Sequence, residues 1–252
     1  MQKLLNKTAV ITGGNSGIGF ATAQEFINEG AKVLITGRNE NLVTEAAKQL
    51  GAIGVVSDQS KLSQIDALID STKKQLGKVD ILVINAGIFS LVPFEAVSEE
   101  SYDSILNVNL KGVFFTLQKF LPILNDNASV ILISALGATT ASFEGTSVYN
   151  ATRAAVNSLT RSVSFELAPK GIRVNAVSPG PIQTPIFGKV GFPIAELEQM
   201  AGVIQQRIPL KRFGTATDVA KLILFIASSD ASFITGSEYV IDGGIGHIPA
   251  MS

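Results

Sequence analysis

The 252-residue sequence has no cysteine and no tryptophan, and its one histidine is His247. Without cysteine the chain has no disulfide, no thiol nucleophile and no thiolate ligand for zinc. One histidine excludes histidine-rich sites, so no metal site is predicted, and we assign His247 no catalytic role. Proton transfer therefore falls mainly to tyrosine, lysine or carboxylate side chains.

Charge is scarce as well. Charged residues make up 16% of the chain and hydrophobic residues 46%, while 20 Lys+Arg against 21 Asp+Glu give a net charge of −1. The usual charged fraction is about 25%, and the apolar surplus favours subunit contacts. The sequence has no basic cluster of the kind that nucleic acids attract. We expect a homo-oligomer that does not bind nucleic acid.

Long apolar runs are missing too. Residues 1–7 lack the apolar stretch of a signal peptide, and no window reaches the roughly 18 uninterrupted apolar residues that a membrane span requires. The sequence therefore predicts a cytoplasmic protein with no membrane partner.

Short runs rich in β-branched residues alternate with segments of helical periodicity. The runs predict strands at 9–11, 33–35, 54–56, 81–84, 130–133, 174–177 and 239–241, and the periodic segments predict helices near 20–26, 40–50, 61–76, 99–124, 149–168 and 216–228. With no linker or repeat, residues 1–252 form one domain. We predict an α/β, doubly wound Rossmann-type fold: a parallel sheet of about seven strands with helices on both faces.

Residues 185–209 depart from this alternation, because glycines and a proline are mixed with apolar side chains. We expect a short helix or two flanked by loops. Long irregular insertions in compact domains are often binding loops. The segment is therefore predicted to bind substrate, with a plain surface excursion as the alternative.

A glycine-rich segment joins the first strand to the first helix. Its pattern is Gly13-x-x-x-Gly17-x-Gly19. Glycines let the backbone approach a diphosphate closely, and the positive end of a helix dipole favours the anion. The pattern predicts a phosphate-bearing ligand, with a tight turn that binds nothing as the alternative.

Tyr149 and Arg153 lie four residues apart in a predicted helix, so they share one face. A cation beside a phenol lowers the phenol's pKa from about 10, which makes the phenol a usable acid or base near neutrality. Such a pair, taken alone, is usually a surface contact.

Further motifs accompany this pair in order along the chain, and together they resemble the classical short-chain dehydrogenase/reductase family. They are Thr12-Gly13-x-x-x-Gly17-Ile18-Gly19, Asn85-Ala86-Gly87, Asn109, Ser134, Tyr149 and Ser178-Pro179-Gly180. The resemblance extends to Asp242-Gly243-Gly244 and covers essentially the whole chain.

The resemblance implies catalytic roles for four residues. Tyr149 would be the general acid in ketone reduction and the general base in alcohol oxidation. Ser134 would hydrogen-bond the carbonyl oxygen, and Asn109 would hold a water in a proton relay. Arg153 stands where the family has lysine, which binds the nicotinamide ribose and lowers the pKa of the tyrosine.

Two features depart from the family pattern. Ser134 precedes Tyr149 by 15 residues (149 − 134), about two more than usual. Counted back from Tyr149 by the usual family spacing, the position of the serine is occupied by Leu136. We assign Ser134 instead, because it lies at the end of a predicted strand, and a short insertion in 138–147 explains the longer spacing. Arginine keeps the charge of lysine but, with a pKa above about 12, carries protons poorly. We therefore expect a working enzyme that is slower than its Arg153→Lys variant.

The second predicted strand ends at Gly37-Arg38 without a carboxylate. An NAD site normally places Asp or Glu there, whereas a nearby arginine accommodates a 2′-phosphate. We expect NADP(H), with NAD(H) possible. The implied cofactor-binding residues are Gly13, Asn15, Ser16, Gly17, Ile18, Gly19, Arg38, Asp58, Asn85, Ala86, Gly87, Tyr149, Arg153, Pro179, Gly180, Ile182 and Thr184.

The predicted substrate pocket is apolar. Its candidate residues are Phe89, Leu136, Phe143, Phe187, Val190 and Phe192. They favour reduction of an apolar or aromatic ketone to a secondary alcohol. An alcohol, sugar-alcohol or 3-oxoacyl reductase is the nearest alternative, and Arg153 leaves open a non-catalytic NADP-binding sensor. The resemblance also implies a homotetramer or dimer, of which we expect the tetramer.

Overall fold

The computed structural model describes residues 2–140, 144–184 and 194–247. Its strands are β1 (Thr8–Thr12), β2 (Lys32–Gly37), β3 (Ile53–Val56), β4 (Val79–Ile84), β5 (Leu124–Ile133), β6 (Arg173–Pro179), β7 (Ile182–Gln183), β8 (Gly214–Thr215) and β9 (Glu238–Ile241). Seven of the strands in these ranges follow the predicted β-branched runs, whereas the sequence does not predict the two short strands β7 and β8.

Seven of these strands form one sheet in the order β3-β2-β1-β4-β5-β6-β9, and β7 pairs with β8 in a second, two-stranded sheet. Every pairing in the large sheet is parallel. The chain reverses its winding direction between β1 and β4, and ligands bind at such a switch point, outside the carboxyl ends of the strands. The predicted doubly wound fold is confirmed.

The helices connect the strands. They are α1 (Gly17–Asn28), α2 (Glu40–Leu50), α3 (Leu62–Leu76), α4 (Glu99–Leu106), α5 (Gly112–Phe120), α6 (Ser147–Leu167), α7 (Ile194–Arg207) and α8 (Ala216–Ala227). The sequence predicts a single helix over 99–124. The structure instead divides this segment, since a π-helical turn over Asn107–Lys111 separates α4 from α5 and a 3-10 turn over Leu121–Ile123 precedes β5.

The strands bury both faces of the sheet. Ile11 faces a core cluster that includes Phe26 of α1 and Ile223 of α8, whereas its neighbour Val10 faces a second cluster that includes Phe120 of α5 and Val156 of α6. Successive strand residues point to opposite faces. Helices therefore cover both sides, as predicted.

Helix α7 accounts for most of the predicted excursion over 185–209, and residues 185–193 lie outside the described residues. The preceding Ile182 pairs with Gly214, so both ends of the excursion are joined by the small β7–β8 sheet. Within the described ranges, no helix is both long and apolar enough to cross a membrane.

Candidate active site

The glycine-rich turn packs directly against the carboxyl end of β4. Gly13 and Gly17 have positive φ angles of 64° and 54°. A Cβ on Gly13 would lie 2.9 Å from the Ala86 Cα, and one on Gly19 would collide with the carbonyl of Gly13. Three of the predicted glycines thus hold a turn that larger residues would strain or block.

The N-terminus of α1 has no cap of its own. Ser16 is extended and its side chain makes no capping bond, and the first turn of α1 contains no acidic residue. Unpaired N–H groups and the positive end of the helix dipole are therefore available to an anion. This arrangement fits the diphosphate of a dinucleotide.

A hydrogen-bonded brace fixes the turn to β4. The Asn85 side-chain amide donates to the carbonyls of Thr12 and Gly13, each at 3.0 Å, and the backbone N–H groups of Asn85 and Ala86 donate to the Thr12 hydroxyl, also at 3.0 Å. The predicted Asn85-Ala86-Gly87 motif therefore positions the glycine-rich turn. Thr12 is a functional residue that the predicted set omits, although it ends a strand at the switch point.

Arg38 lies exposed just after β2, and in the described part of the chain no carboxylate forms an ion pair with it. The side chain of Asn15 lies against the neighbouring Gly37. A Cβ on Gly37 would collide with the Oδ1 atom of Asn15. The glycine-rich turn thus meets the end of β2 beside the exposed guanidinium of Arg38. This edge of the site suits a second phosphate group.

Asp58 follows β3, as predicted for a residue near the adenine. Its Oδ1 atom accepts from the backbone N–H of Ser60 at 3.0 Å and from the Ser60 hydroxyl at 2.8 Å. Its own N–H donates to the Gln64 side chain at 2.7 Å. The carboxylate therefore orders a turn, and its Oδ2 atom is free of these bonds.

Asn109 lies at the centre of the π-helical turn and is fully buried. Its side-chain amide accepts from the Ile88 N–H and donates to the Ile88 carbonyl, both at 2.9 Å. Both hydrogen-bonding sides of the amide are committed to one residue. Asn109 therefore fixes the backbone of Ile88, which follows Gly87, while the second lone pair of its Oδ1 and the second N–H of its Nδ2 are not used by these bonds.

Tyr149 lies in the first turn of α6 and is half-buried. The ring of Phe89 meets it edge-on, with centroids 4.9 Å apart and an interplanar angle of 88°. The guanidinium carbon of Arg153 lies 5.0 Å from its ring centroid. An apolar ring and a cation thus hold the phenol in place.

Arg153 is 4% exposed. Its Nη1 donates to the Ile133 carbonyl at 3.0 Å, and its Nη2 lies where a Cβ on Gly87 would be. The Nε has no hydrogen-bond partner among the described residues, and no carboxylate there forms an ion pair with the guanidinium. A buried, uncompensated cation favours negative charge beside it.

Ser134 lies between β5 and α6 and is 3% exposed. Its hydroxyl donates to the Arg153 carbonyl at 3.0 Å, and its N–H donates to the Val177 carbonyl at 2.7 Å. The structure therefore brings Ser134 to the helix turn that carries Tyr149 and Arg153. Because its proton is used in the bond to Arg153, the hydroxyl would have to turn that proton away in order to donate to a substrate oxygen.

The segment after β6 closes the opposite side. The Gly180 N–H donates to the Ile241 carbonyl at 2.9 Å, and the Asp242 carboxylate accepts from the N–H groups of Gly244 and Gly246 at 2.8 Å each. A Cβ on Gly246 would lie 2.8 Å from the Leu136 side chain. The described part of this wall also contains Pro179, Ile182 and Thr184, whereas Phe143, Phe187, Val190 and Phe192 lie outside the described residues.

The chain is similar to known oxidoreductases in sequence and in fold. A family model described as "Enoyl-(Acyl carrier protein) reductase" matches residues 13–246. The sequence is 39% identical over 252 residues to the oxidoreductase asL5 of Sarocladium schorii, covering 98% of this chain and 99% of that protein.

Two solved structures show the same architecture with different dinucleotides. A blue fluorescent protein from a metagenomic library, in complex with NADPH, has a TM-score of 0.89 and 29% identity, covering 97% of this chain and 99% of that one. The 3-ketoacyl-(acyl-carrier-protein) reductase from Brucella melitensis, complexed with NADH, has a TM-score of 0.88 and 33% identity, covering 96% and 99%. The likeness therefore does not choose between the two cofactors.

Proposed function

Because the chain belongs to the classical short-chain dehydrogenase/reductase family of oxidoreductases, we propose that it reduces a ketone to a secondary alcohol with NADPH. The observation that carries this proposal is the grouping of Tyr149, Arg153 and Ser134 at the carboxyl end of β5, beside the glycine-rich turn. A phenol, a cation and a hydroxyl at a dinucleotide site are the groups that carbonyl reduction requires.

The bound dinucleotide would supply the hydride that attacks the carbonyl carbon. Tyr149 would donate its phenolic proton to the carbonyl oxygen, which yields the alcohol and leaves a phenolate to be reprotonated. The guanidinium of Arg153 lies 5.0 Å from the ring centroid, so a positive charge adjoins the phenol. Ser134, after rotation of its hydroxyl, would stabilise the negative charge that develops on the substrate oxygen.

The preference for NADP(H) rests on Arg38. Its guanidinium is exposed and forms no ion pair in the described segments, and it adjoins the side of the turn formed by Asn15 and Gly37. An arginine at this strand end accommodates a 2′-phosphate, whereas an NAD site would have a carboxylate there. The other implied cofactor residues would hold the diphosphate, the adenine and the nicotinamide.

An apolar or aromatic ketone is the proposed substrate class. Phe89 packs edge-on against Tyr149, and Leu136 lies against Gly246 at the opposite wall. Both side chains bring apolar surface to the edges of the site. A small polar sugar alcohol would gain little from these contacts.

A non-catalytic NADP-binding sensor is a second candidate, and one observation favours it. The Arg153 guanidinium donates to the Ile133 carbonyl and the Ser134 hydroxyl donates to the Arg153 carbonyl, so both groups have protein partners. A sensor would bind NADPH without turnover.

A homotetramer is proposed from exposed apolar surface on α4 and α5. A surface groove there is lined by Leu106, Leu110, Lys111, Phe114 and Phe115. Phe114 is 43% exposed, and burial of such side chains between subunits stabilises an oligomer. Light scattering should give a mass near four chains, and Phe114→Glu should reduce it; a monomeric wild type would contradict the tetramer.

A panel of aryl, alkyl, sugar and 3-oxoacyl ketones, each assayed with NADPH and with NADH, tests the reaction. We expect loss of reduced-nicotinamide absorbance to be fastest with aryl ketones and NADPH. Tyr149→Phe should abolish it and retain cofactor binding, whereas Tyr102→Phe, at a tyrosine 46% exposed on α4, should leave it unchanged. Binding of NADPH without turnover of any ketone would favour the sensor.

A further inference from the structure

Gln59 lies between two turns of the structure and has no role in the proposed reaction. It follows Asp58 after β3, and it is 6% exposed. Its side-chain Nε2 donates to the Ala86 carbonyl at 3.3 Å and to the Val108 carbonyl at 3.1 Å. One amide group thus joins the turn after β4 to the π-helical turn over Asn107–Lys111.

The backbone of Gln59 meets the same turn. A Cβ on Gly112, where α5 begins, would lie 2.5 Å from the Gln59 carbonyl oxygen and 2.8 Å from its Cγ. Such close approach is open only to glycine at position 112. Gln59 therefore contacts the π-helical turn through both its main chain and its side chain.

The side-chain amide of Gln59 is an unfavourable group to bury at this position. Its Oε1 atom is buried and has no hydrogen-bond partner among the described residues. A buried acceptor without a partner costs free energy that a leucine of similar size would not incur. The two bonds donated by Nε2 are the distinctive contribution of glutamine at this position.

Those two bonds connect the loop that carries Asp58 to the turn after β4 and to the π-helical turn. Asp58, next to Gln59, is the proposed adenine contact. Val108 immediately precedes Asn109, whose side chain fixes the backbone of Ile88 beside Gly87. Gly87 in turn leaves the space that the Arg153 guanidinium fills. The connected path runs from the adenine side to the catalytic cation.

We propose that Gln59 is a positioning residue that couples adenosine binding at Asp58 to the order of the π-helical turn that carries Asn109. The inference rests on the proposed NADP(H) site. Binding of the adenosine half orders the loop after β3, and the Nε2 bonds transmit that order to Ala86 and Val108.

Hydrogen exchange tests the coupling without turnover, with adenosine 2′,5′-bisphosphate as the probe. In the wild type, the probe should slow exchange of amides 107–111 by about five-fold or more. In Gln59→Leu the probe should still bind, but this protection should disappear. Gln118→Leu, at an exposed position of α5, should behave as the wild type. Undiminished protection in Gln59→Leu would overturn the proposal.

Gln59→Glu gives an independent readout if the leucine variant fails to fold. An ionised carboxylate cannot donate to the two carbonyls, whereas a protonated one donates once. The kcat of ketone reduction by Gln59→Glu should therefore recover relative to the wild type as the pH falls, and absence of any recovery would overturn the proposal. A wild type that binds neither NADPH nor the probe would overturn the proposed cofactor and this inference together.

Discussion

The guanidinium carbon of Arg153 lies 5.0 Å from the ring centroid of Tyr149, so the cation lies over the aromatic ring. A cation at this distance is attracted by the negative face of the ring. The bond from Nη1 to the Ile133 carbonyl holds the guanidinium in this position. The pair is thus fixed by backbone and ring contacts before any substrate binds.

Arg153→Lys should raise the rate of single-turnover ketone reduction, by no more than about 100-fold. An ammonium exchanges protons more readily than a guanidinium and can reprotonate the phenolate. Stopped-flow absorbance measures the rate, with Arg161→Lys at an exposed position of α6 as the control. A rise of several orders of magnitude would show that the natural chain is nearly inactive, and no rise would exclude a proton-relay penalty.

Gly87→Ala should lower kcat/KM by about 100-fold, because the new methyl group would displace the Arg153 guanidinium. The loss should be much smaller in the Arg153→Lys background, since lysine has no Nη2 branch. Gly51→Ala, just after α2 and away from the site, is the control for backbone strain, because a Cβ there would meet no atom within 4 Å although its φ is 69°. Equal losses in both backgrounds would show that the two residues are not coupled.

Arg38→Asp should shift the cofactor preference from NADPH towards NADH. The carboxylate would repel a 2′-phosphate and accept a hydrogen bond from a ribose 2′-hydroxyl. The ratio of kcat/KM values with the two cofactors measures the shift. Lys74→Asp makes a comparable charge change at an exposed site on α3. An unchanged ratio in Arg38→Asp would refute the role of Arg38.

Asp80→Asn should lower the free energy of unfolding at pH 7 by about 1–3 kcal/mol. Burial alone would raise the pKa of Asp80, but the bonds that its carboxylate accepts from Thr8 and Asn125, together with the charge of Lys7, lower that pKa below its ordinary value. The stabilisation is present in full above the unfolded pKa of about 3.9 and is lost as the pH falls through the lower folded pKa.

The difference between wild type and Asp80→Asn should therefore shrink as the pH falls below about 4. Urea unfolding at several pH values measures it. Asp126→Asn, at an exposed carboxyl in β5, should change stability little at any pH. A wild-type advantage that persists undiminished at the lowest pH would contradict the assignment to the Asp80 charge.

The sequence predicts the sheet well where apolar β-branched residues fill a strand, as in β2 and β4. It predicts only 130–133 for β5, which in fact begins at Leu124. The first half of that strand carries Asp126 and Asn127, the latter with a φ of 63°, and the pairing with β4 shifts register between Val79 and Ile81. Polar residues in an irregular half-strand leave no periodic signal.

The candidate site, like the sheet, is only partly predictable from the sequence. Gly13, Tyr149 and Arg153 belong to local patterns, and the structure brings them to one edge of the sheet. The brace between Thr12 and Asn85 joins residues 73 positions apart, and the amide of Gln59 reaches Val108 across 49. Helical and strand periodicity describes neighbours in the chain. It therefore gives no signal for side-chain bonds that form only after the sheet has assembled.

The turn at Asp242 has a consequence for biosynthesis. Its carboxylate accepts hydrogen bonds from Gly244 and Gly246, and Gly246 lies against Leu136. One wall of the site is therefore built from residues that are translated long after the Gly13 turn on the opposite side. A nascent chain can finish most of its sheet while this wall is still inside the ribosome. A chain that ended before Asp242 would keep every strand of the large sheet but lack this boundary of the proposed site, so we expect it to lose ketone reduction while retaining most of its fold.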